Sequence, residues 1–494
     1  MQLAVVGGGP AGCAAALEAA RAGLAVTLID EHPQATAIMG LDTPYFYGTR
    51  LPPALASARA TAERVLEANT GWLECLEAGV EVLTGTCAWG LFVPGVNNRS
   101  LPSKCLGLAD ASRSWVAEVD QLVLAPGARD LVLSFPGWQL PGVLGVQAAS
   151  VLLRSYQALG GSRVLVLGSG NVALAFARQA LAAGIEVAGL VEPTESMRGD
   201  ARLAAELEHR GVAIHRGYTI ERALGNAEVS GARLVPCSPD RRGEAVQIAC
   251  DTICLAFGTV PNIELAAVAG CRMAYDARLG GWVPELDAGM QSSVAGLYVV
   301  GDGAGVTEAS ALSPDAAVAQ ARVAVQAATS AEAEPHATET RQAGSSALYP
   351  PTEWLEALLA TGGPDVQLCQ CEEVSRREFL AVQPPRYLGV EAWRPKGLSA
   401  VDAPGAALNQ DFLKRMTRVG MGHCQGKRCR EHATMLLARE ARVGLGEVLP
   451  GSYRMPVRPL SLTVMQAHEE PPGTKDQWSV WSWLHATDTR ALGD

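Results

Sequence analysis

Four cysteines late in the chain have a spacing suited to metal chemistry. Cys369 and Cys371 form a C-x-C pair, and Cys424 and Cys429 form a C-x4-C pair. Thiolates are soft anionic ligands, so two close pairs suit a tetrahedral zinc ion or a 2Fe-2S cluster. The spacing departs from the C-x2-C pairs of zinc ribbons, and the glycine-rich approach to Cys424 leaves backbone N–H groups able to hydrogen-bond cluster sulfurs. The four residues therefore favour an iron-sulfur cluster, with zinc as the alternative.

A glycine-rich turn near the N-terminus has the form that binds a dinucleotide. The run LAVVGGGPAG places Gly7, Gly9 and Gly12 in a G-x-G-x-x-G pattern between a hydrophobic strand and a helix. The N–H groups at the start of that helix would face a pyrophosphate. The next strand, VTLID, ends at Asp30, roughly 20 residues on, where an acid accepts hydrogen bonds from a ribose. We predict a nucleotide site here, with Glu31 as the alternative ribose ligand.

Two later segments identify this nucleotide as FAD, because both resemble marks of flavoproteins with two dinucleotide-binding folds. LVLAPGAR, with Ala125 and Gly127, resembles their ATG-type crossover, although Pro126 replaces the usual threonine. GLYVVGDGAG resembles their second FAD motif, in which a strand delivers an acid to the ribityl and phosphate region of the flavin. That motif begins here at Gly301, and its acid is Asp302.

A second turn repeats the same logic in the middle of the chain. SRVLVLGSGNVALAFARQALAAGIEVAGLVEP contains Gly168, Gly170 and Ala173, and its second strand ends at Glu192. This pattern predicts a second adenine-nucleotide site. A carboxylate at Glu192 would repel a 2'-phosphate, so we expect NAD rather than NADP. The pattern leaves open whether NAD(H) reacts there or a nucleotide is only held.

The elements that must position these residues alternate between strands and helices. With 494 residues, 48% of them hydrophobic, the chain can form several cores, and 52 glycines suit tight strand-to-helix turns. We predict an α/β fold with two Rossmann-like domains and a small helical C-terminal module. The predicted divisions are an FAD-binding domain in two parts (1–134 and 251–328), a nucleotide-binding domain (135–250), a linker (329–351), a cysteine module (366–442) and a C-terminal extension (443–494).

Charge and composition exclude several classes of function. The formal net charge of -11 argues against a general nucleic-acid or anionic-membrane binder. The N-terminus has no basic leader, and no apolar run is long enough to span a membrane, so we expect a cytoplasmic protein. No pair of nearby cysteines follows the first motif, which disfavours a disulfide reductase. Cys250 and Cys254 flank Asp251 on a predicted strand and are expected to be core residues.

The cysteine segments carry a more specific resemblance. CQCEEV and FLKRMTRVGMGHCQGKRC resemble the bacterioferritin-associated-ferredoxin-type (BFD-like) module of the opine oxidase, hydrogen cyanide synthase and amino-acid dehydrogenase flavoprotein subunits. SFPGWQLPGVLGVQAAS and YRMPVRPLSL also resemble that family. The resemblance implies FAD in this chain, a 2Fe-2S cluster on the four cysteines, and a partner subunit similar to D-amino-acid oxidases that oxidises an amino or imino acid. In some related complexes FMN lies at the subunit boundary.

Three segments depart from the family pattern. PQATAIMGLDTPYFYGTR replaces its usual GGQ stretch, a Pro-rich insertion lies near 383–397, and the tail past Leu462 is extra, with Trp478, Trp481 and Trp483. They leave the substrate and the detailed flavin contacts undetermined.

A basic neighbourhood surrounds the second cysteine pair in this acidic protein. It could bind a flavin phosphate or an acidic patch of a partner and raise the cluster potential, or it could be a solvated helix face. We expect an electron-transfer subunit of an amine or amino-acid oxidase or dehydrogenase, and the alternative is a stand-alone NAD(P)H-dependent reductase. The basic residues are Lys414, Arg415, Arg418, Lys427, Arg428 and Arg430.

Overall fold

The computed structural model describes residues 2–33, 57–98, 101–237, 244–307, 310, 313–330, 352–389, 397–398 and 408–469. Several predicted features lie outside these residues. They are the departure that follows Glu31, the predicted linker beyond Ser330, the middle of the predicted insertion, and the tail with its three tryptophans.

The strands are short and most are apolar. In chain order they are β1 (Leu3–Val6), β2 (Val26–Ile29), β3 (Glu81–Leu83), β4 (Cys87–Phe92), β5 (Cys105–Ala109), β6 (Ser114–Glu118), β7 (Gln121–Leu124), β8 (Ala128–Asp130), β9 (Val143–Gly145), β10 (Arg163–Leu167), β11 (Glu186–Glu192), β12 (Ile214–Arg216), β13 (Tyr218–Leu224), β14 (Gly231–Pro236), β15 (Val246–Ala249), β16 (Thr252–Leu255), β17 (Thr259–Pro261), β18 (Met273–Asp276), β19 (Gly281–Pro284), β20 (Leu297–Val299), β21 (Gln367–Cys369), β22 (Val374–Ser375) and β23 (His468–Glu469).

The α-helices cover both parallel sheets and build the C-terminal module. In chain order they are α1 (Pro10–Arg21), α2 (Ala58–Ala68), α3 (Thr70–Glu77), α4 (Val146–Arg154), α5 (Asn171–Ala182), α6 (Ala201–His209), α7 (Glu264–Val268), α8 (Asp315–Thr329), α9 (Thr352–Gly362), α10 (Arg376–Leu380), α11 (Gln410–Thr417), α12 (Arg430–Ala441) and α13 (Leu462–Gln466).

The first sheet has the order β20-β7-β1-β2-β3, and its neighbouring strands are parallel. Its central strand β1 is a continuous apolar run that is buried along its whole length, as expected for a parallel strand covered on both faces. The strand β20 joins this sheet from far along the chain, after the second fold has been completed. The first fold is therefore discontinuous.

The second parallel sheet has the order β12-β11-β10-β16-β9. It includes β16 (Thr252–Leu255), so the second fold extends past the predicted division at 250. Cys250 and Cys254 are both buried here. The antiparallel pair of β8 and β17 connects the two folds at the point where the chain crosses between them.

The C-terminal module is not a separate body. One buried cluster contains residues of the second sheet, such as Leu165, together with Trp354, Cys369 and Cys429 of the C-terminal part. Beyond the predicted end of the module at 442, the chain continues across the protein, and β23 pairs with β6 of the first half. No helix in the described part of the chain is long and apolar enough to cross a membrane.

Candidate functional site

Two of the three glycines of the N-terminal turn leave no room for a side chain. A Cβ on Gly7 would lie 2.1 Å from the carbonyl oxygen of Ala125, and a Cβ on Gly12 would lie 1.7 Å from that of Gly7. Gly9 is the N-cap of α1 and supplies no side-chain hydrogen bond, and a Cβ there would meet nothing within 4 Å. The helix N-terminus therefore faces open space, which suits a bound pyrophosphate.

The crossover and the second FAD motif meet beside this turn. Gly127 has a φ of +65°. A Cβ on Gly303 would lie 2.7 Å from the Pro126 ring, and one on Gly301 would lie 3.0 Å from the Ala11 side chain of α1. The three segments that predicted an FAD site thus converge at the carboxyl ends of the first sheet's strands, the edge where such folds bind ligands.

Asp302 follows β20 in a short 3-10 helix and is partly buried beside the same turn. Burial raises the pKa of its carboxyl, and a hydrogen bond with Ser310 acts in the opposite direction. Its predicted role toward the flavin stays a prediction.

Asp30 and Glu31 have different surroundings. Asp30 is buried and accepts hydrogen bonds from the backbone N–H groups of Gly8 and His32, and burial raises its pKa. Glu31 forms an ion pair with Arg458. Burial alone would raise the pKa of Glu31, but the positive charge of Arg458 outweighs it and lowers the pKa. Asp30 is thus tied to the turn itself, and Glu31 to the C-terminal part of the chain.

Sequence reasoning missed two residues at this first site. The indole N–H of Trp72 donates to the carbonyl oxygen of Gly8 over 2.8 Å, so α3 holds the turn from outside. The other is Arg458. Its segment, YRMPVRPLSL, carried a family resemblance, but nothing in the sequence paired it with Glu31.

A cavity of about 250 Å³ lies along the second fold. Gly168 borders it with a φ of +133°, and a Cβ there would lie 2.2 Å from the carbonyl oxygen of Ala256. Gly170 is the N-cap of α5, with nothing within 4 Å of its Cβ position, and Ala173 is fully buried one turn later. The second glycine turn therefore opens onto a real cavity, as a nucleotide site requires.

Glu192 does not present its carboxylate to this cavity. The side chain is fully buried, and one oxygen accepts a hydrogen bond from the Ser169 hydroxyl over 2.6 Å. The other oxygen accepts from the backbone N–H and the hydroxyl of Thr194, at 3.3 and 3.0 Å. The prediction of NAD rather than NADP depends on Glu192. Both of its carboxylate oxygens accept hydrogen bonds from other residues of the protein.

Two side chains that the sequence did not indicate help to line the cavity. Arg198 lies in the loop after β11, and Trp354 comes from α9 of the C-terminal part. The Trp354 ring is 1% exposed and packs against Phe257, with ring centroids 4.7 Å apart. The C-terminal part thus supplies a wall of the second nucleotide cavity. The sequence did not indicate this contact between the C-terminal part and the cavity, because α9 lies beyond the predicted linker (329–351).

The four late cysteines come together as two pairs. Cys369 interacts with Cys429, and Cys371 with Cys424, through hydrogen bonds between their thiols. Cys369 and Cys429 are each 1% exposed, whereas Cys371 and Cys424 are half-buried. As they stand, however, no group of three or more His, Cys, Asp or Glu side chains in the described ranges could hold a metal ion.

Backbone N–H groups donate hydrogen bonds to two of these cysteine sulfurs. The N–H groups of Gly420 and Glu372 donate to Cys369. The hydrogen bond with Cys371 lowers the pKa of Cys424 to about 5, and the N–H groups of Arg428 and Gly426 act in the same direction. A Cβ on Gly422 would lie 2.3 Å from that of Cys371, so this approach of the two loops requires a glycine. These N–H groups can stabilise negative charge on the sulfurs of Cys369 and Cys424, and the predicted cluster stays a prediction.

Several of the basic residues nearby are engaged inside the protein. Arg418 pairs with Glu372 over 2.6 Å, and the Arg430 guanidinium lies 3.9 Å from the Tyr453 ring centroid. Lys427 donates to the carbonyl oxygen of Val457. These contacts give the basic neighbourhood a structural role in joining the cysteine loop to the rest of the chain. Its predicted role toward a flavin phosphate or a partner stays a prediction.

Comparison with known proteins agrees with this geometry. Residues 1–328 match the model of the pyridine nucleotide-disulphide oxidoreductase family. The chain belongs to that family. As a member of the pyridine nucleotide-disulphide oxidoreductases it is a flavin-dependent oxidoreductase, and the predicted fold with two dinucleotide-binding domains is confirmed. Residues 406–469 match a second model, the sarcosine oxidase A3 domain.

Relatives within this family match nearly the whole chain. An opine oxidase subunit of Agrobacterium tumefaciens is 28% identical over 93% of this chain and 90% of its own length. Hydrogen cyanide synthase subunit HcnB of Pseudomonas aeruginosa is 26% identical over 94% of this chain and 97% of its own. The crystal structure of L-proline dehydrogenase from P. horikoshii shares the fold, with a TM-score of 0.57 and 19% identity over 94% of this chain and 79% of that one. The predicted family resemblance is confirmed.

Proposed function

We propose that this chain is the FAD- and 2Fe-2S-containing electron-transfer subunit of a heteromeric amine or amino-acid oxidase or dehydrogenase of the opine type. One observation carries the proposal: an FAD-type turn and four paired cysteines belong to one continuous protein body, with Arg458 linking the cysteine-bearing part to the residue after Asp30. The relatives from opine oxidase and hydrogen cyanide synthase are each named as subunits, which supports the heteromeric part.

For FAD, we assign the holding of the pyrophosphate to the turn of Gly7, Gly9 and Gly12 and the ribose to Asp30. Ala125 and Gly127 of the crossover, with Gly301 and Asp302 after β20, would line the flavin side. For the second nucleotide, Gly168, Gly170 and Ala173 would form the corresponding turn. The flavin would supply the redox chemistry, since the protein's own side chains position and enclose it.

We assign the cluster to Cys369, Cys371, Cys424 and Cys429. The two thiol pairs would have to close around a cluster, and the N–H groups aimed at Cys369 and Cys424 support thiolate charge at these positions. Tetrahedral zinc remains the alternative occupant of the same donors.

The partner we propose is a flavoprotein subunit similar to D-amino-acid oxidases, which would oxidise the substrate. FMN at the subunit boundary is part of the same proposal. Co-expression of the chain with such a subunit should give a stable complex that reduces a dye in the presence of an amino or imino acid. Repeated failure to associate would contradict the heteromeric assignment.

The cluster is tested on the chain itself, purified without oxygen. Cys424→Ser should remove the iron, acid-labile sulfide and visible cluster absorption while FAD is retained. Cys237→Ser is the matched control, because Cys237 is exposed and distant in sequence from the four ligands. Unchanged iron in Cys424→Ser would refute the ligand assignment, and stoichiometric zinc without sulfide would replace the cluster by a zinc site.

One observation favours the second candidate, a stand-alone NAD(P)H reductase. The second cavity extends from the turn at Gly168 to Gly280, Val306 and Thr307, and the last two follow the second FAD motif. Anaerobic spectra of the isolated chain separate the candidates. Rapid bleaching of the flavin band by NADH or NADPH would favour the reductase, and an unchanged oxidised spectrum would favour the subunit that receives electrons from a partner.

A further inference from the structure

A small cavity lies where the crossover, the hairpin of β18 and β19, and the first turn of α12 meet. Its volume is about 30 Å³, compared with about 250 Å³ for the cavity of the second fold. This space holds about two water molecules or one small ion and is too small for a nucleotide or a flavin. The polar side chains that line it are Arg129, Tyr275, Trp282, Arg430, Glu431, Thr434 and Tyr453.

Two donors in this lining have no hydrogen-bond partner in the part of the chain that the structure describes. They are the indole N–H of Trp282 on β19 and the Nη1 group of Arg430, the first residue of α12. Both nitrogens are shielded from solvent, and a buried donor without an acceptor costs free energy. The Nη2 group of Arg430 already donates to the carbonyl oxygen of Gln425 over 3.0 Å, and the ring of Tyr453 lies against the guanidinium. An acceptor inside the cavity would satisfy both unpaired donors.

The charges around the cavity favour an anion over water as that acceptor. Arg129 lies between the carboxylates of Glu264 and Glu431, at 3.3 and 2.5 Å. Arg430 and Lys427 act on the same neighbourhood, so three cations face two carboxylates. Burial alone would raise the pKa of Glu264, but the three cations outweigh it and lower this pKa to about 2. The excess positive charge is itself partly buried, and a buried charge is stable only when a counter-charge compensates it.

We propose that this cavity binds one small monovalent anion, of the size of chloride or formate. The anion accepts hydrogen bonds from the Trp282 indole and the Arg430 guanidinium, and it neutralises the excess positive charge. Because Arg430 directly follows Cys429, the bound anion fixes the cysteine-bearing loop to the hairpin of β18 and β19. The site is independent of the electron-transfer proposal, because it requires neither a cluster nor a partner subunit.

The test measures how anions change the thermal stability of the full, FAD-loaded chain. Sodium chloride and sodium formate are each titrated against sodium gluconate at constant ionic strength, because gluconate is too large for the cavity. A ligand that binds only the folded chain stabilises it by mass action. Chloride and formate should therefore raise the melting temperature along a saturating curve, by about 2 °C at saturation.

One substitution removes a single donor from the cavity. Trp282→Phe keeps an aromatic ring against Tyr275 and should raise the half-saturating chloride concentration about tenfold, the effect of one lost hydrogen bond to a charged ligand. Trp89→Phe is the matched control. The Trp89 indole N–H donates to the carbonyl oxygen of Leu108 over 3.0 Å, and Trp89 does not line the cavity, so its loss should leave the chloride dependence unchanged. Arg430→Gln should abolish the saturating effect.

Bromide locates the ion directly, because it scatters X-rays anomalously. Crystals of the unmodified chain grown in sodium bromide should show one bromide within hydrogen-bond distance of Trp282 Nε1 and the Arg430 guanidinium. Three results would overturn the proposal: equal melting temperatures in chloride and gluconate, an unchanged chloride dependence in Trp282→Phe, and a cavity without bromide. If Trp282→Phe fails to fold, as judged from its FAD content, the bromide position in the unmodified chain decides. Each of these failures would leave the iron and sulfide content of the chain, and thus the electron-transfer proposal, unaffected.

Discussion

Arg129 is a buried cation between two carboxylates, and its replacement by methionine is the most informative test of how the cysteine module is attached. It lies on β8 at the crossover, 3.3 Å from Glu264 of α7 and 2.5 Å from Glu431 of α12. All three side chains are at most 16% exposed. Arg129→Met keeps much of the side chain's volume and leaves two buried carboxylates without this cation.

The magnitude follows from Glu264. Burial alone would raise the pKa of its carboxyl, but the charges of Arg129, Lys427 and Arg430 lower it from 4.5 to about 2. A change of this size corresponds to about 3 kcal/mol of stability at neutral pH. That value agrees with the loss of about 3 to 5 kcal/mol expected when a buried pair is broken by removing one partner. We therefore expect Arg129→Met to lose about 3 kcal/mol at pH 7.

The assay is urea denaturation of the FAD-loaded chain between pH 7 and pH 3. The folded-state pKa of Glu264 lies below its unfolded value of 4.5, so its contribution is fully present above that pH and is lost as the pH falls toward about 2. The difference between the unmodified chain and Arg129→Met should therefore shrink below about pH 4.5, because a protonated Glu264 no longer needs a cation.

A double-mutant cycle provides the control for this prediction. Glu264→Gln removes the negative charge that Arg129 compensates, so the double variant should be less destabilised than the sum of the two single variants by at least about 1 kcal/mol. If Arg129→Met stayed within about 0.5 kcal/mol of the unmodified chain at pH 7, or its loss did not vary with pH, the reasoning would be refuted.

Three further predictions test other parts of the molecule. Gly12→Ala should lower the flavin content of the purified chain, because its Cβ would lie 1.7 Å from a backbone oxygen. Gly9→Ala is the control: its Cβ would have no atom within 4 Å, so this variant should fold as well as the unmodified chain and change only the flavin affinity. Trp354→Ala, at a ring that is 1% exposed, should cost about 3 to 5 kcal/mol in denaturant titration, and a loss below about 1 kcal/mol would contradict its role as a cavity wall. Arg458→Gln should speed proteolysis of the C-terminal segment, because it removes the cation paired with Glu31, and an unchanged cleavage rate would show that this pair does not hold the segment.

The sequence predicts the parts of the site that depend on neighbours in the chain. A glycine turn needs residues without a Cβ wherever a backbone oxygen lies closer than a side chain permits, so Gly7, Gly12 and Gly168 were recognisable from their spacing alone. Asp30 was also recognisable from its spacing, because the length of one helix and one strand sets its distance from the turn.

The parts that depend on distant segments were not predictable. The carboxylate of Glu192 accepts hydrogen bonds from the hydroxyls of Ser169 and Thr194. The sequence alone does not distinguish a glutamate that binds a ribose from one that accepts hydrogen bonds inside the protein. The pairing of Arg458 with Glu31 joins opposite ends of the chain, and no periodicity encodes such a contact. The predicted module likewise started too late to include α9, whose Trp354 is part of the shared core.

The discontinuous first sheet determines the order in which the chain can fold during synthesis. The strand β7 keeps one edge unpaired until Leu297–Val299 has left the ribosome, whereas every strand of the second sheet is available once Leu255 has emerged. The second fold can therefore assemble while the first is still open, with an exposed parallel edge that can pair wrongly with other nascent chains. Nascent chains arrested before β20 should consequently aggregate through the first fold and depend on chaperones, although the other four strands of the first sheet have already been synthesised.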